Sequence, residues 1–174
     1  KAEDWRDYVA GYMCANDVSA RDFQLATSQW TMGKNFDGFF PSGPWLVTAD
    51  EIADPHKLQI KLWNNGKLMQ NFNTDDMAHK IPRCIEWISG IHDLEPGDIL
   101  ATGTNHRGLS AFQGGDKIEL EVEGLGRLMV TVKDEHNRTW ARETRLDRQQ
   151  KGLKGTTPQL TGKYANAGAG TTGG

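Results

Sequence analysis

A chain of 174 residues is long enough to bury one real core, and its charges, 25% of the residues with a net of −3, are interspersed. No basic block is present to neutralise phosphates, which argues against nucleic acid as a partner. No apolar run reaches the length of a membrane span and no signal-type leader opens the chain, so it reads as soluble and off the membrane; Cys14 and Cys84 lie in apolar contexts and read as reduced core thiols of a cytoplasmic protein.

Residues 1–7 read as a polar loop or short helix feeding an apolar, strand-like run over residues 8–15, which ends on Asn16-Asp17. A polar cluster follows: Asp17, Ser19, Arg21, Asp22 and Gln24. On a helix Asp17, Arg21 and Gln24 would share one face, at i, i+4 and i+7. Lys34 then sits among Gly33, Asn35 and Gly38 in a stretch with a loop's composition. A carboxylate, a guanidinium, an amide and an ammonium this close in sequence could hold a divalent metal and an anionic substrate. The same residues also fit a plainer arrangement, with Asp17 or Ser19 capping a short helix and Arg21 and Asp22 solvated. Residues 25–44 lack periodicity and carry Gly33, Gly38, Pro41, Gly43 and Pro44, so they read as an extended loop, packed by Trp30, Phe36, Phe39 and Phe40. Trp45-Leu46-Val47 reads as a short buried strand that leaves by a turn at residues 48–51.

The alternation of Leu58, Ile60 and Leu62 with Lys57, Gln59 and Lys61, followed by Asn65-Gly66, predicts a hairpin over residues 57–72 with Leu68, Gln70 and Phe72 on one face of the return strand. Thr74-Asp75-Asp76 supplies acceptors suited to a helix N-terminus. Pro82 fits the first turn of a helix running to Ser89, ended by Gly90, with Ile81, Ile85 and Ile88 as its apolar stripe. Glu95-Pro96-Gly97-Asp98 predicts a tight turn delivering a strand at residues 99–101. Ile118, Leu120 and Val122 alternate with Lys117, Glu119, Glu121 and Glu123; Gly124-Leu125-Gly126 then reverses the chain into Leu128, Val130 and Val132. Strands dominate, helices are few and no βαβ alternation appears. The fold class expected is therefore α+β, mostly β, a largely antiparallel or mixed roll. Arg138, Arg142, Arg145, Arg148 and Lys151 recur at near-helical spacing, as a solvated or dimer-clasping helix face or as an anion site. From Gly152 the chain is rich in Gly, Thr and Ala and is expected to fray.

The string Gly11-Tyr12…Asn16-Asp17-Val18-Ser19-Ala20-Arg21-Asp22-Phe23-Gln24 resembles the core signature of the fumarylacetoacetate hydrolase family. The resemblance continues through Gly33-Lys34-Asn35-Phe36-Asp37, Gly43-Pro44-Trp45, Leu94-Glu95-Pro96-Gly97-Asp98, Ala101-Thr102-Gly103-Thr104 and Glu123-Gly124-Leu125-Gly126. It implies a mixed β-sandwich roll over residues 1–133, incomplete at its N-terminus, with residues 134–174 as an extension. It implies that Asp17 is a metal ligand, for Mg²⁺ or else Mn²⁺ or Ca²⁺. Lys34 and Arg21 become candidate catalytic residues, with Lys34 stabilising enolate charge and Arg21 either orienting the site or pairing with Asp22 or Asp17. Gln24 and Lys34 would hold the substrate's oxo-acid end, and Thr104 its carboxylate, although Gly103-Thr104 also suits a simple turn at the end of a strand.

Three departures accompany the match. The family's two further metal carboxylates, a Glu-x-Glu pair, and its catalytic His-Glu pair would lie before Lys1, and a first residue that is not Met suggests that the chain begins inside a longer product. Glu119, Glu121 and Glu123 have Glu-x-Glu spacing but read as solvent-facing. Asn105-His106-Arg107-Gly108 stands where many members have Pro and a Gly-Val-Gly run, so His106 and Arg107 either read an extra substrate group or lie at the surface. The function implied is metal-dependent hydrolytic C–C cleavage of an acylpyruvate-type 2,4-dioxo acid. The alternatives are lyase, decarboxylase, hydratase or isomerase chemistry on a related 2-oxo acid, or a non-catalytic fragment. The expected partners are that small oxo acid and a second copy of the chain, in a homodimer.

Overall fold

Alternation builds the main sheet. In the computed structural model, which describes residues 1–154, 157–162 and 165, strand β5 (Lys117–Val122) buries Ile118, Leu120 and Val122 and turns Lys117, Glu119 and Glu121 to the other face. It lies beside β3 (Gln59–Asn64), which forms the expected hairpin with β4 (Lys67–Asn73). Asn65 and Gly66 close that hairpin at φ of 51° and 78°, a turn whose twist matches the flanking strands. Strand β6 (Gly126–Thr131) returns along β5, giving the order β4-β3-β5-β6 with every pairing antiparallel. A second sheet pairs β1 (Gly11–Ala15) with β2 (Ser42–Thr48), also antiparallel.

The two sheets enclose a core that includes Cys14, Val47, Ile52, Leu120, Val122 and Leu128. Leu120→Ala there would open a cavity and cost about 2–5 kcal/mol. Gly126 lets the layers approach closely: a Cβ on it would lie 2.9 Å from the Trp45 ring. The mostly β roll with few helices is thus observed.

A smaller cluster of Trp5, Ile81 and Ile85, with Leu100 partly buried against it, joins an N-terminal 3₁₀ helix (Ala2–Tyr8) to helix α3 (Ile81–Ser89). Pro82 lies in the first turn of α3 and Gly90 caps its end, as the sequence indicates. Thr74-Asp75-Asp76 do not cap it; they form their own 3₁₀ turn (Thr74–Asp76), capped by the Asn73 side chain. The donor at the start of α3 is instead met by His56, whose Nε2 accepts from the Ile81 N–H at 3.1 Å. That acceptor role requires a neutral ring with its proton on Nδ1, which lies 3.5 Å from Asp54 Oδ1. Burial pushes the His56 pKa down, consistent with the neutral form.

Three expectations are corrected. Residues 99–101 are not a strand: the turn before them forms, with Asp98 N–H bonded to Glu95 O at 3.1 Å, but Leu100 then leans on the Trp5 cluster and no strand among the described residues pairs with them. The strand around Trp45 is longer than expected and mostly uncovered; only Gly43 and Val47 are buried, while Trp45 and Leu46 are exposed in a stretch where the register against β1 shifts between Val47 and Gly43, breaking simple alternation. The arginine-rich tail is not a basic helix face. Helix α4 covers only Arg145–Gln150, and Arg138 pairs with Asp134, Arg142 with Asp116, and Arg148 and Lys151 with Glu143. The tail also returns to the sheet, where Trp140 N–H donates to Gln113 Oε1 at 2.8 Å. Most of the Gly- and Thr-rich end expected to fray lies outside the described residues. Among the described residues no helix is long and apolar enough to cross a membrane.

Candidate functional site

The site begins where β1 ends. Backbone bonds from Asn16 N–H to Pro41 O, Val18 N–H to Phe39 O and Ala20 N–H to Gly33 O, each about 3 Å, lay residues 16–20 along residues 33–41. Two short helices follow the same seam, α1 (Arg21–Ala26) and α2 (Thr31–Lys34). They touch at Gly33, where a Cβ would lie 2.9 Å from Gln24 N and 3.0 Å from Ala20 O, so any larger residue would push α2 away. Phe23 meets Phe36 edge-on and Phe36 meets Phe39 at a tilt, with centroid separations of 5.6 and 5.0 Å, but Trp30, Phe36 and Phe40 are exposed, so the packing expected of this loop is only partial.

Because Gly33 is held so closely, the next residue has a fixed origin. Lys34 Nζ lies 2.6 Å from Asp17 Oδ2 and 2.7 Å from Ser19 Oγ. The lysine side chain is three-quarters buried, while that of Asp17 is 49% exposed. Asp17 is therefore not on a helix face with Arg21 and Gln24. Helix α1 starts after it, with Ala20 as N-cap and no side-chain cap bond, so neither Asp17 nor Ser19 is a capping residue. Arg21 pairs with neither Asp17 nor Asp22; its Nη1 donates to Gln24 Oε1 at 2.7 Å, and Gln24 is buried. Asp17, Ser19 and Lys34 thus form one unit, and Arg21 with Gln24 an adjoining one, joined through Gly33.

Thr104 and His106 lie elsewhere on the surface. No hydrogen bond or ion pair links either to Asp17, Arg21, Gln24 or Lys34 among the described residues. Thr104 belongs to an irregular loop over residues 104–108 that rests on β4, and His106 is exposed on it. Beside the loop is an open groove of about 470 Å³, bordered by Met69, Phe72, Asp76, Asn105 and Arg107. Residue types drew attention to Ser19 without a role; its contact to Lys34 supplies one. Gln70, read from the sequence only as part of one face of the return strand, is buried against the Thr104 loop; the available signal was an amide standing between Leu68 and Phe72 on that face.

A hard divalent cation needs several oxygens. Asp17 offers one carboxylate, already engaged through Oδ2, and no cluster of three or more His, Cys, Asp or Glu occurs among the described residues. Glu119 and Glu121 are held by Arg127 at 3.0 and 2.6 Å, and Glu123 accepts from the Gln59 N–H, so the late Glu-x-Glu strand offers no alternative. Asp17 fits one corner of a metal site, and these residues alone do not complete it.

The model of the fumarylacetoacetate (FAA) hydrolase C-terminal family matches residues 1–133. The chain is 47% identical over 140 residues to the mitochondrial oxaloacetate tautomerase Fahd2a of Rattus norvegicus, a match covering 76% of this chain and 44% of that protein. Among solved structures it is similar to 5-carboxymethyl-2-hydroxymuconate delta-isomerase from Mycobacterium smegmatis, with 38% identity, a TM-score of 0.72, and coverage of 76% and 51% of the two chains. It is also similar to maleylpyruvate hydrolase from Sphingobium sp. SYK-6 in complex with manganese(II) ion and pyruvate, with 39% identity, a TM-score of 0.69, and coverage of 76% and 47%. The chain spans about half the length of these relatives. A family match across most of the chain, an identity near one half and a shared fold together lead to one conclusion: this chain belongs to the fumarylacetoacetate hydrolase family.

Proposed function

We propose that this chain carries the charge-handling part of an enzyme that takes a 2-oxo acid through its enolate form, with a divalent metal as cofactor. The observation that carries the reading is the Lys34 ammonium, fixed 2.6 Å from Asp17 Oδ2 and 2.7 Å from Ser19 Oγ. Forming the enolate moves negative charge onto the 2-oxo oxygen, and a pre-positioned cation stabilises that charge with little reorganisation. Ser19 and Asp17 hold Nζ in place. Gln24, oriented by Arg21, binds the oxo-acid end, and Thr104 binds the carboxylate from the other loop. Asp17 is this chain's contribution to the metal, which when bound polarises the oxo group as a Lewis acid.

The relatives' names support this chemistry, since a tautomerase, an isomerase and a hydrolase crystallised with pyruvate can all proceed through an enol or enolate. The tautomerase similarity favours keto–enol interconversion of a 2-oxo acid as the reaction. The similarity to maleylpyruvate hydrolase favours a second reading, C–C hydrolysis of an acylpyruvate-type 2,4-dioxo acid. A cytoplasmic location and a homodimer belong to the same proposal.

The test uses the complete gene product that carries this chain, with Mg²⁺ or Mn²⁺, and follows both the decay of enol-oxaloacetate and the cleavage of an acylpyruvate. Acceleration of the first that a chelator abolishes is expected. Cleavage without tautomerisation would select the hydrolytic reading, and inertness toward both would overturn the proposal.

A further inference from the structure

We infer that Gln70 is a positioning residue, fixing the loop over residues 104–108 so that Thr104 meets the substrate carboxylate. The inference rests on the proposed role of Thr104.

Gln70 is 7% exposed, in the edge strand β4, opposite Leu62 of β3, which packs against the core. A buried carboxamide is unfavourable unless its hydrogens find acceptors, so its partners indicate why it is tolerated there. They all belong to the loop. Nε2 donates to Asn105 O at 2.5 Å and to Arg107 O at 3.3 Å, and stands 3.5 Å from Thr104 Oγ1. One amide thus gathers the backbone on both sides of His106 and reaches the hydroxyl of Thr104.

The strand is shaped to allow this. Leu62 pairs with Gln70 and Trp63 with Leu68, so Met69 has no partner and forms a bulge. The bulge delivers the Met69 carbonyl to Gly108, where a Cβ would lie 1.7 Å from Met69 O and the backbone has φ of 78°. Only glycine tolerates both conditions. Two further bonds tighten the loop: Asn105 Nδ2 to Asp76 Oδ2 at 2.6 Å, and Arg107 N–H to Asn105 Oδ1 at 2.8 Å. The loop is therefore tied at its start by Gln70 and at its end by Gly108, and Thr104 and His106 remain exposed. A connection that served only to join two elements would need neither the bulge nor the buried amide.

The test is steady-state kinetics of Gln70→Met, Thr104→Ala and the double variant in the complete gene product. Gln70→Met keeps the volume and removes the donors. It is expected to raise KM about tenfold with kcat nearly unchanged, the pattern of lost substrate binding. Thr104→Ala should do the same, and the double variant should be little worse than either single one, because both act on one contact. A purely structural role would lower the melting temperature and leave KM alone. Gln70→Glu guards against a variant that does not fold: its carboxyl can donate to the loop carbonyls only when protonated, so KM should climb with pH where the parent's stays flat.

If Thr104→Ala leaves KM unchanged, the proposed role of Thr104 fails and this inference falls with it. If Thr104→Ala raises KM but Gln70→Met does not, or the two effects multiply fully, Gln70 does not act through Thr104 and only this inference is overturned. A flat KM against pH in Gln70→Glu overturns it as well.

Discussion

Two carboxylates in this molecule meet a cation, and their surroundings differ sharply. Asp116 is 4% exposed and accepts from both terminal nitrogens of Arg142, from Asn65 Nδ2 and from the Gln113 N–H. Chiefly because of Arg142, its pKa is lowered to about 2. Asp17 is half exposed and accepts from Lys34 through Oδ2; among the described residues no donor reaches its Oδ1. A carboxylate whose lone pairs are filled by its own fold has nothing left for a ligand. The first pair clasps the tail to the hairpin, whereas the second keeps the unspent capacity that a binding site requires. Both sites hold opposite charges in contact; saturation is what differs between them.

If this contrast holds, substitution at the two sites should separate activity from stability. The largest effect is expected for Asp17→Asn, which should lower kcat of the complete gene product by roughly 10²–10³. Its melting temperature should barely move, since half-exposed ion pairs add little stability. Asp116→Asn should do the reverse. Urea unfolding is expected to show a loss of about 2 kcal/mol, below the value for a fully buried pair because the Arg142 guanidinium is itself half exposed, while KM stays at the parent value.

Acid titration sharpens the same point. The folded pKa of Asp116, about 2, is depressed below the unfolded value of roughly 3.9, so the unfolded state binds the proton first. Its contribution, on the order of 1–2 kcal/mol after allowance for the exposed partner, is complete above about pH 4 and is lost as pH falls toward 2. His56 should add an earlier step. Its folded pKa is also depressed, mainly by burial, so its stabilising effect is complete above the ordinary histidine value and fades as pH drops below it. His56→Gln, which retains an acceptor for the Ile81 N–H, should flatten that step in pH-dependent melts. The smallest effect belongs to Arg127→Ala. Its links to Glu119 and Glu121 are exposed, and no resolvable shift in the melting midpoint is expected.

What the sequence disclosed follows from the range of the forces involved. The Asn65-Gly66 hairpin and the β5–β6 pair are local, each written by alternation and turn residues within a few positions, and both were legible. Asp17, Arg21, Gln24 and Lys34 were legible as types but not as geometry. Helical spacing suggested that Asp17 faced Arg21, whereas the backbone bond from Ala20 to Gly33 and the close packing at Gly33 give it to Lys34 instead. Partners distant in sequence left weaker traces. The tail arginines looked like one basic face because spacing was read from the cations alone; Asp134 and Glu143 lie nearby in sequence, and only Asp116 is distant. Gln70 was legible as a position on the strand face but not as a tie to the loop, because its carboxamide answers to carbonyls 35 and 37 residues away. Residues 99–101 read as a strand from composition, but a strand also needs a neighbour to pair with, and the Trp5 cluster drew Leu100 aside.

The central claim, that Lys34 acts on charge and is not a packing residue, is tested most directly by kcat of Lys34→Met in the complete gene product, measured on a 2-oxo acid substrate beside a thermal melt. Methionine keeps most of the stem's volume and removes the ammonium that Asp17 and Ser19 hold. The account predicts a fall in kcat of roughly 10²–10³ at an unchanged melting temperature. It also predicts incomplete recovery in Lys34→Arg, whose planar fork places charge differently. Near-normal kcat in Lys34→Met, with the melt unchanged, would contradict the account and leave Lys34 a mostly buried lysine with no part in the chemistry.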